Sequence, residues 1–127
     1  MKKITALVLV LVMVFALCAC GGADADNGKL KVGFIFLHDE NSTYDKNFMD
    51  AAKAACEKMG VEYELRTNIP EGQECYETAA DLADGGCKLV FADSFGHEDF
   101  MIQAAKEFPD VQFCHATGVP LDEDINE

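Results

Sequence analysis

Lys88-Leu89-Val90-Phe91-Ala92-Asp93-Ser94-Phe95-Gly96-His97 is the stretch that decides the fold. Leu89 to Ala92 is apolar without alternation, which suits a short strand covered on both faces of a sheet, and the sheet's centre is expected here. The polar tip that begins at Asp93 reads as the loop beyond that strand's carboxyl end. Working upstream, Gln73 to Asp84 places Cys75, Ala79, Leu82 and Ala83 on one side of a helix, and Gly85-Gly86 supplies its stop. Downstream, Glu98 to Phe108 reads as a helix with Met101, Ile102, Ala105 and Phe108 inward. Pro109 ends it, lacking a backbone N–H and clashing with the preceding turn. Val111-Gln112-Phe113-Cys114-His115 is then a further strand, followed by Ala116-Thr117-Gly118-Val119-Pro120.

The same alternation of elements continues toward the amino terminus. Val61 to Thr67 alternates polar and apolar residues, as a half-buried edge strand does, and runs out in Asn68-Ile69-Pro70-Glu71-Gly72. Before it, Phe48, Ala51, Ala52, Ala55 and Met59 fall at helical spacing, with Asp45, Lys46, Lys53, Glu57 and Lys58 between them and Gly60 as the stop. Earlier still, Lys31-Val32-Gly33-Phe34-Ile35-Phe36-Leu37 is a buried strand that ends in His38-Asp39-Glu40-Asn41-Ser42-Thr43. Four strands separated by helices and short loops predict an α/β fold: a parallel sheet, right-handed crossovers and helices on both faces.

The chain has 127 residues, with 23 acidic and 10 basic side chains and a formal net charge of −13. The basic residues are not clustered, so the counterion release that drives nucleic-acid binding has no footprint here. Cys56, Cys75, Cys87 and Cys114 fit no CxxC metal or redox spacing, and no metal site or cofactor is expected. Cys75 with Cys87 is a conceivable disulfide in an oxidising compartment, whereas Cys56 and Cys114 read as small buried hydrophobes.

In a parallel α/β sheet, ligands bind beyond the carboxyl ends of the strands, where backbone amides and helix N-termini converge. That rule selects three loops: Asp39 to Tyr44, Asp93 to His97 and His115 to Gly118. The candidate ligand-binding residues are Asp39, Asn41, Ser42, Tyr44, Asp93, Ser94 and Phe95. Aromatic rings there can stack on a planar ligand, while Asn, Ser and Asp can hold hydroxyls or ring nitrogens. Asn41, Ser42 and Thr43 also stand where a helix N-cap is wanted, and a cap is the plainer role for at least one of them. His97 and His115 have no Ser or Cys nucleophile beside them. Ser94-Phe95-Gly96 is not a nucleophile elbow, and the glycines form no GxGxxG fingerprint. No catalytic residues are assigned, and the protein is not expected to be an enzyme.

The start of the chain carries a second signal. Met1-Lys2-Lys3, the uncharged run Ile4 to Leu17, and Ala19-Cys20-Gly21 resemble a bacterial lipoprotein signal. That resemblance implies a signal peptide at 1–19, lipidation (palmitate) at Cys20 and a flexible tether at 20–28. The acidic balance of the remainder is then more lopsided, because Lys2 and Lys3 leave with the signal.

Lys31-Val32-Gly33-Phe34-Ile35, Asn68-Ile69-Pro70-Glu71-Gly72, Leu89 to Gly96 and Lys106-Glu107-Phe108-Pro109-Asp110-Val111-Gln112-Phe113 occur in this order. Together they resemble the first lobe of the BMP family of substrate-binding lipoproteins, similar to the purine nucleoside receptors of ABC importers. The resemblance runs from about Lys29 to Gly118 and implies a type I periplasmic-binding-protein lobe, Rossmann-like, over residues 29–127, with the second lobe missing. It further implies a nucleoside or similar small neutral ligand, ABC permease subunits as partners, and a lipid-anchored place on the extracytoplasmic face of the cell membrane. Two features depart from the family pattern: the first loop has Asn41-Ser42-Thr43 and an aromatic residue only at Tyr44, and the sequence stops at Leu121 to Glu127. Half a cleft is expected to bind weakly and to leave an apolar surface uncovered. Two readings from other classes stand beside this one: a flavodoxin-like enzyme or signalling domain with an acidic site at Asp39 and Asp93, and a structural lipoprotein that binds nothing.

Overall fold

The computed structural model describes residues 28–118, so the segment containing Cys20 and the last residues, 119–127, lie outside the described part. Four strands, β1 (Lys31–Ile35), β2 (Glu62–Arg66), β3 (Leu89–Ala92) and β4 (Gln112–His115), form one parallel sheet in the order β2-β1-β3-β4. Between them lie α1 (Thr43–Met59), α2 (Gln73–Asp84), a 3₁₀ turn (Phe95–His97) and α3 (Glu98–Glu107). The α/β class, the parallel sheet, the central place of β3 and the edge place of β2 are as the sequence predicts. The strand order changes direction between β1 and β3, which places the crevice of a doubly wound sheet at their carboxyl ends.

One face of the sheet carries the main core. Ile35, Val90 and Ala92 pack with Cys75, Ala79 and Leu82 of α2, Met101 and Ala104 of α3, and Cys87. Gly33 belongs to the same face for a steric reason: a Cβ there would lie 2.8 Å from Leu82 Cδ1, so only glycine lets the helix come this close. α2 ends at Gly85-Gly86, where Gly86 takes φ 90, and Gly60 closes α1 at φ 66 while Val61 N–H donates to the Cys56 carbonyl at 2.9 Å. All four cysteines of the described part are free thiols. Cys75 and Cys87 are fully buried in the core rather than bridged to each other.

The other face is only partly covered; two expectations are corrected there, and a third in α3 on the core side. β3 alternates instead of being buried throughout: Val90 is buried and Phe91 is 37% exposed, its ring stacked on Phe34 with centroids 5.4 Å apart. α1, the helix on this side, packs chiefly toward β2 and leaves an apolar strip open over β3 and β4. The buried stripe of α1 is Asp45, Met49, Ala52 and Cys56, while Phe48, Ala51, Ala55 and Met59 are exposed. Both sets have helical spacing, and the choice falls to the set that includes a buried carboxylate, because Asp45 is held by the loop after β1. In α3 the buried residues are Met101 and Ala104. Ala105 is exposed, and Ile102 and Phe108 are half-buried, a rotation of one position from the predicted face. β2 has no fully buried residue, consistent with its edge position.

Candidate functional site

The sheet's hydrogen bonding continues past the ends of its strands and sets the height of the loops. Asp93 N–H donates to the Ile35 carbonyl at 3.3 Å and Ala116 N–H to the Ala92 carbonyl at 3.0 Å, which inserts Asp93 between the ends of β1 and β4. The neighbouring loops then close on the Asp93–Ser94 backbone. Tyr44 Oη donates to the Asp93 carbonyl at 3.0 Å, Thr117 Oγ1 donates to the same oxygen at 3.3 Å, and His115 Nε2 donates to the Ser94 carbonyl. Every loop predicted from the topology therefore contributes to one crevice.

The Asp93 side chain is the feature of this crevice that asks for an explanation. It is 3% exposed, and neither of its carboxylate oxygens has a hydrogen-bond partner. Burial pushes its carboxyl up from 3.8 to about 6, and the nearby Asp45 charge adds to the effect. The Leu37 and Asp93 backbone amides face the carboxylate and oppose that rise without making bonds of normal geometry, so above that pH the crevice holds an ionised carboxylate that no side-chain donor satisfies. A buried charge without partners is costly, so its persistence in a fold points to a group supplied from outside.

Asp45 has the opposite surroundings. It is 1% exposed, yet its Oδ1 accepts from His38 N–H at 3.0 Å and its Oδ2 from Ser42 Oγ–H at 2.5 Å, with His38 Nδ1 also 3.2 Å from Oδ2. Burial opposes its ionisation, but these bonds from Ser42 and His38 outweigh it and hold the carboxyl below its ordinary range. Ser42 is the N-cap of α1: its hydroxyl oxygen accepts from Asp45 N–H at 3.3 Å while its hydroxyl hydrogen goes to the Asp45 carboxylate, and its own N–H donates to the Asp39 carbonyl at 3.0 Å. Sequence reasoning placed Asp45 on the wet side of α1. The signal that could have found it is Ser42-x-x-Asp45 at a helix start.

The remaining candidates divide by location. Tyr44 and Phe95 are 47% and 63% exposed in the segments that adjoin Asp93; the Tyr44 ring packs on Phe48 with centroids 5.0 Å apart, and Phe95 projects from the 3₁₀ turn. Ser94 is buried, and its hydroxyl donates to Glu71 Oε1 at 2.5 Å, so its donor is already committed. Asp39 and Asn41 bond to each other, with Asn41 Nδ2 donating to Asp39 Oδ1 at 2.8 Å and Asn41 N–H at 3.0 Å, which makes them the bracket of an exposed turn. The carboxylate that acts on Asp93 is thus Asp45 rather than Asp39. Among the described residues no cluster of three or more His, Cys, Asp or Glu side chains is arranged to hold a metal ion.

His97 is fully buried, and burial lowers its pKa, which favours the neutral ring. Its Nε2 donates to the Ile69 carbonyl at 2.9 Å and ties the β2–α2 loop to the 3₁₀ turn. Along the open sheet face a hollow of about 360 Å³ runs from the crevice over Phe34, Phe36, Phe48, Phe91 and Cys114, with Asp93 at its polar end.

No family model matches the chain. A purine-binding protein of Brucella abortus (strain 2308) is 40% identical over 102 residues, which cover 76% of this chain and 29% of that protein. An ABC transporter solute-binding protein from Conexibacter woesei superimposes with a TM-score of 0.59 at 21% identity, covering 66% of this chain and 28% of its own. A transcriptional activator of the comK gene from Bacillus halodurans gives 0.64 at 19% identity, covering 74% and 32%. These two likenesses carry the fold alone. The chain spans about a third or less of each of the proteins it matches.

Proposed function

We propose, since the chain is BMP-like in sequence and has the α/β fold of an ABC solute-binding protein, that it is an extracytoplasmic solute-binding lipoprotein of an ABC importer. In this reading it is lipidated at Cys20 and hands a purine or purine nucleoside to a membrane permease. The single observation that carries the reading is the Asp93 carboxylate, buried and unpartnered at the point where the strand order changes direction.

The chemistry follows from what that carboxylate lacks. A purine presents ring N–H and exocyclic amino donors along its edges, and a nucleoside adds ribose hydroxyls. Such donors would give Asp93 the charge-assisted bonds that the protein does not supply. The rings of Tyr44 and Phe95 offer apolar faces to the heterocycle, and stacking of this kind contributes about 0.5–1.5 kcal/mol beyond area burial. The Tyr44 hydroxyl, already donating to the Asp93 carbonyl, couples ring position to the height of the carboxylate. Above a pH of about 6 the site is an acceptor of donors, and a neutral or cationic solute fits it better than a polyanion.

A thermal-shift panel with adenine, adenosine, glucose and Mg²⁺ tests the proposal. A ligand that binds only the folded state raises the midpoint. Stabilisation by the purines alone supports the receptor. Stabilisation by Mg²⁺ would instead favour an acidic-site enzyme or signalling domain, and no response to any of them a protein that binds none of these solutes.

A further inference from the structure

We infer that Glu71 is a positioning residue, which holds the Ser94–Gly96 turn and thereby orients the exposed Phe95 ring of the ligand crevice. The ligand-binding consequence rests on the function proposed above, but the positioning itself does not. Glu71 lies in the loop after β2, outside the three loops that topology assigns to the site. Its Oε1 accepts from Ser94 Oγ–H at 2.5 Å and from Gly96 N–H at 3.0 Å, the two residues that flank Phe95.

Three observations make this contact a built one. The loop that carries Glu71 is itself pinned: Ile69 N–H donates to the Phe36 carbonyl at 3.0 Å, and His97 Nε2 donates to the Ile69 carbonyl at 2.9 Å. Gly96 is shaped to the carboxylate, since a Cβ there would lie 2.7 Å from Glu71 Oε2 and 2.8 Å from Glu71 Cβ. Phe95 is 63% exposed, so little side-chain packing fixes where it projects, and the bonds on either side set its backbone and thus the direction of its Cα–Cβ bond. The bonds from Ser94 and Gly96 also hold the Glu71 carboxyl below its ordinary range, in keeping with a charge-assisted pair of donors.

The test compares the full chain with Glu71→Ala, Glu71→Gln and Gly96→Ala, reading amide hydrogen exchange and the affinity for adenine. Both bonds use one oxygen, so the Gln carbonyl can accept them, and Glu71→Gln is expected to fall between the parent and Glu71→Ala because the charge is lost. Glu71→Ala should speed exchange of the Gly96 amide about tenfold or more while Ile35 and Val90 keep their protection, as local opening predicts. Gly96→Ala, which pushes Glu71 aside, should do the same. Adenine affinity should fall about tenfold in Glu71→Ala, a loss of roughly 1.4 kcal/mol. Adding Glu71→Ala to Phe95→Ala should cost nothing further, because the two residues act through one contact.

Unchanged protection of Gly96 in Glu71→Ala overturns the inference, and so does a uniform loss of protection across the sheet or a full tenfold loss that persists without Phe95. Should the parent fail to bind adenine, the ligand reading falls, and the Gly96 exchange pattern still decides the positioning claim.

Discussion

Replacing Asp93 with Asn removes a buried charge and keeps the shape, so it is expected to stabilise the ligand-free protein at neutral pH. A carboxyl raised from 3.8 to about 6 binds its proton more tightly in the folded state than in the unfolded one. Stability then falls as pH rises through this window, and the whole penalty is present above it. A shift of about two units corresponds to roughly 3 kcal/mol at pH 7, at 1.36 kcal/mol per unit. Asp45 works in the other direction: its carboxyl is held low, so its contribution is present above the unfolded value and is lost as pH falls through the folded one. Comparing variant with parent cancels the distant carboxylates and leaves Asp93 together with its coupling to Asp45. Urea unfolding followed by circular dichroism at several pH values between 4 and 8 provides the assay. The difference should be within about 0.5 kcal/mol at pH 4, grow through pH 6 and level near 3 kcal/mol by pH 7. The same variant should bind adenine more weakly, the trade-off expected of a binding residue. A pH-independent difference, or a variant less stable than its parent at pH 7, would refute the account of Asp93 as an unpaired buried charge.

Two further outcomes follow from the core. Leu82→Ala removes the side chain that seals Gly33 against α2, and unfolding measurements should show a loss of about 2–5 kcal/mol; a loss below 1 kcal/mol would mean that α2 does not pack as described. Cys75 and Cys87 are fully buried, with the Cys75 thiol pushed up to about 12 by burial, so iodoacetamide at pH 8 should leave both unmodified by mass spectrometry until the protein is unfolded. Rapid labelling of either in the native protein would contradict the core assignment.

The elements of the fold were legible because each carries its own punctuation. Gly60, Gly85-Gly86 and Pro109 mark helix ends through backbone chemistry that does not depend on tertiary contacts, and the short apolar runs around Val32 and Val90 have few conformations open to them. The faces of the helices were less legible. In α1 two helical stripes compete, and the buried one includes Asp45, which any apolar pattern rejects; its burial becomes intelligible only when Ser42 and His38 are seen to satisfy it. The open strip over Phe91 depends on where α1 sits, a tertiary fact that the residues of β3 do not encode.

The site was legible to the extent that topology dictates it. The sheet rule points to the carboxyl end of β3, where the Tyr44 hydroxyl bonds the Asp93 carbonyl and Phe95 follows two residues on. Asp39 and Asn41 turned out to satisfy each other, and Ser42 to cap a helix and serve Asp45. Glu71 escaped notice because its partners are 23 and 25 residues away in the chain, beyond the reach of any local pattern.

Two-dimensional NMR of the isotope-labelled chain titrated with adenine at pH 7 tests the central claim most directly. The account predicts progressive shifts at the Asp93, Phe95 and Tyr44 amides, and loss of those shifts in Asp93→Asn. Shifts confined to other surfaces, or undiminished in that variant, would contradict it.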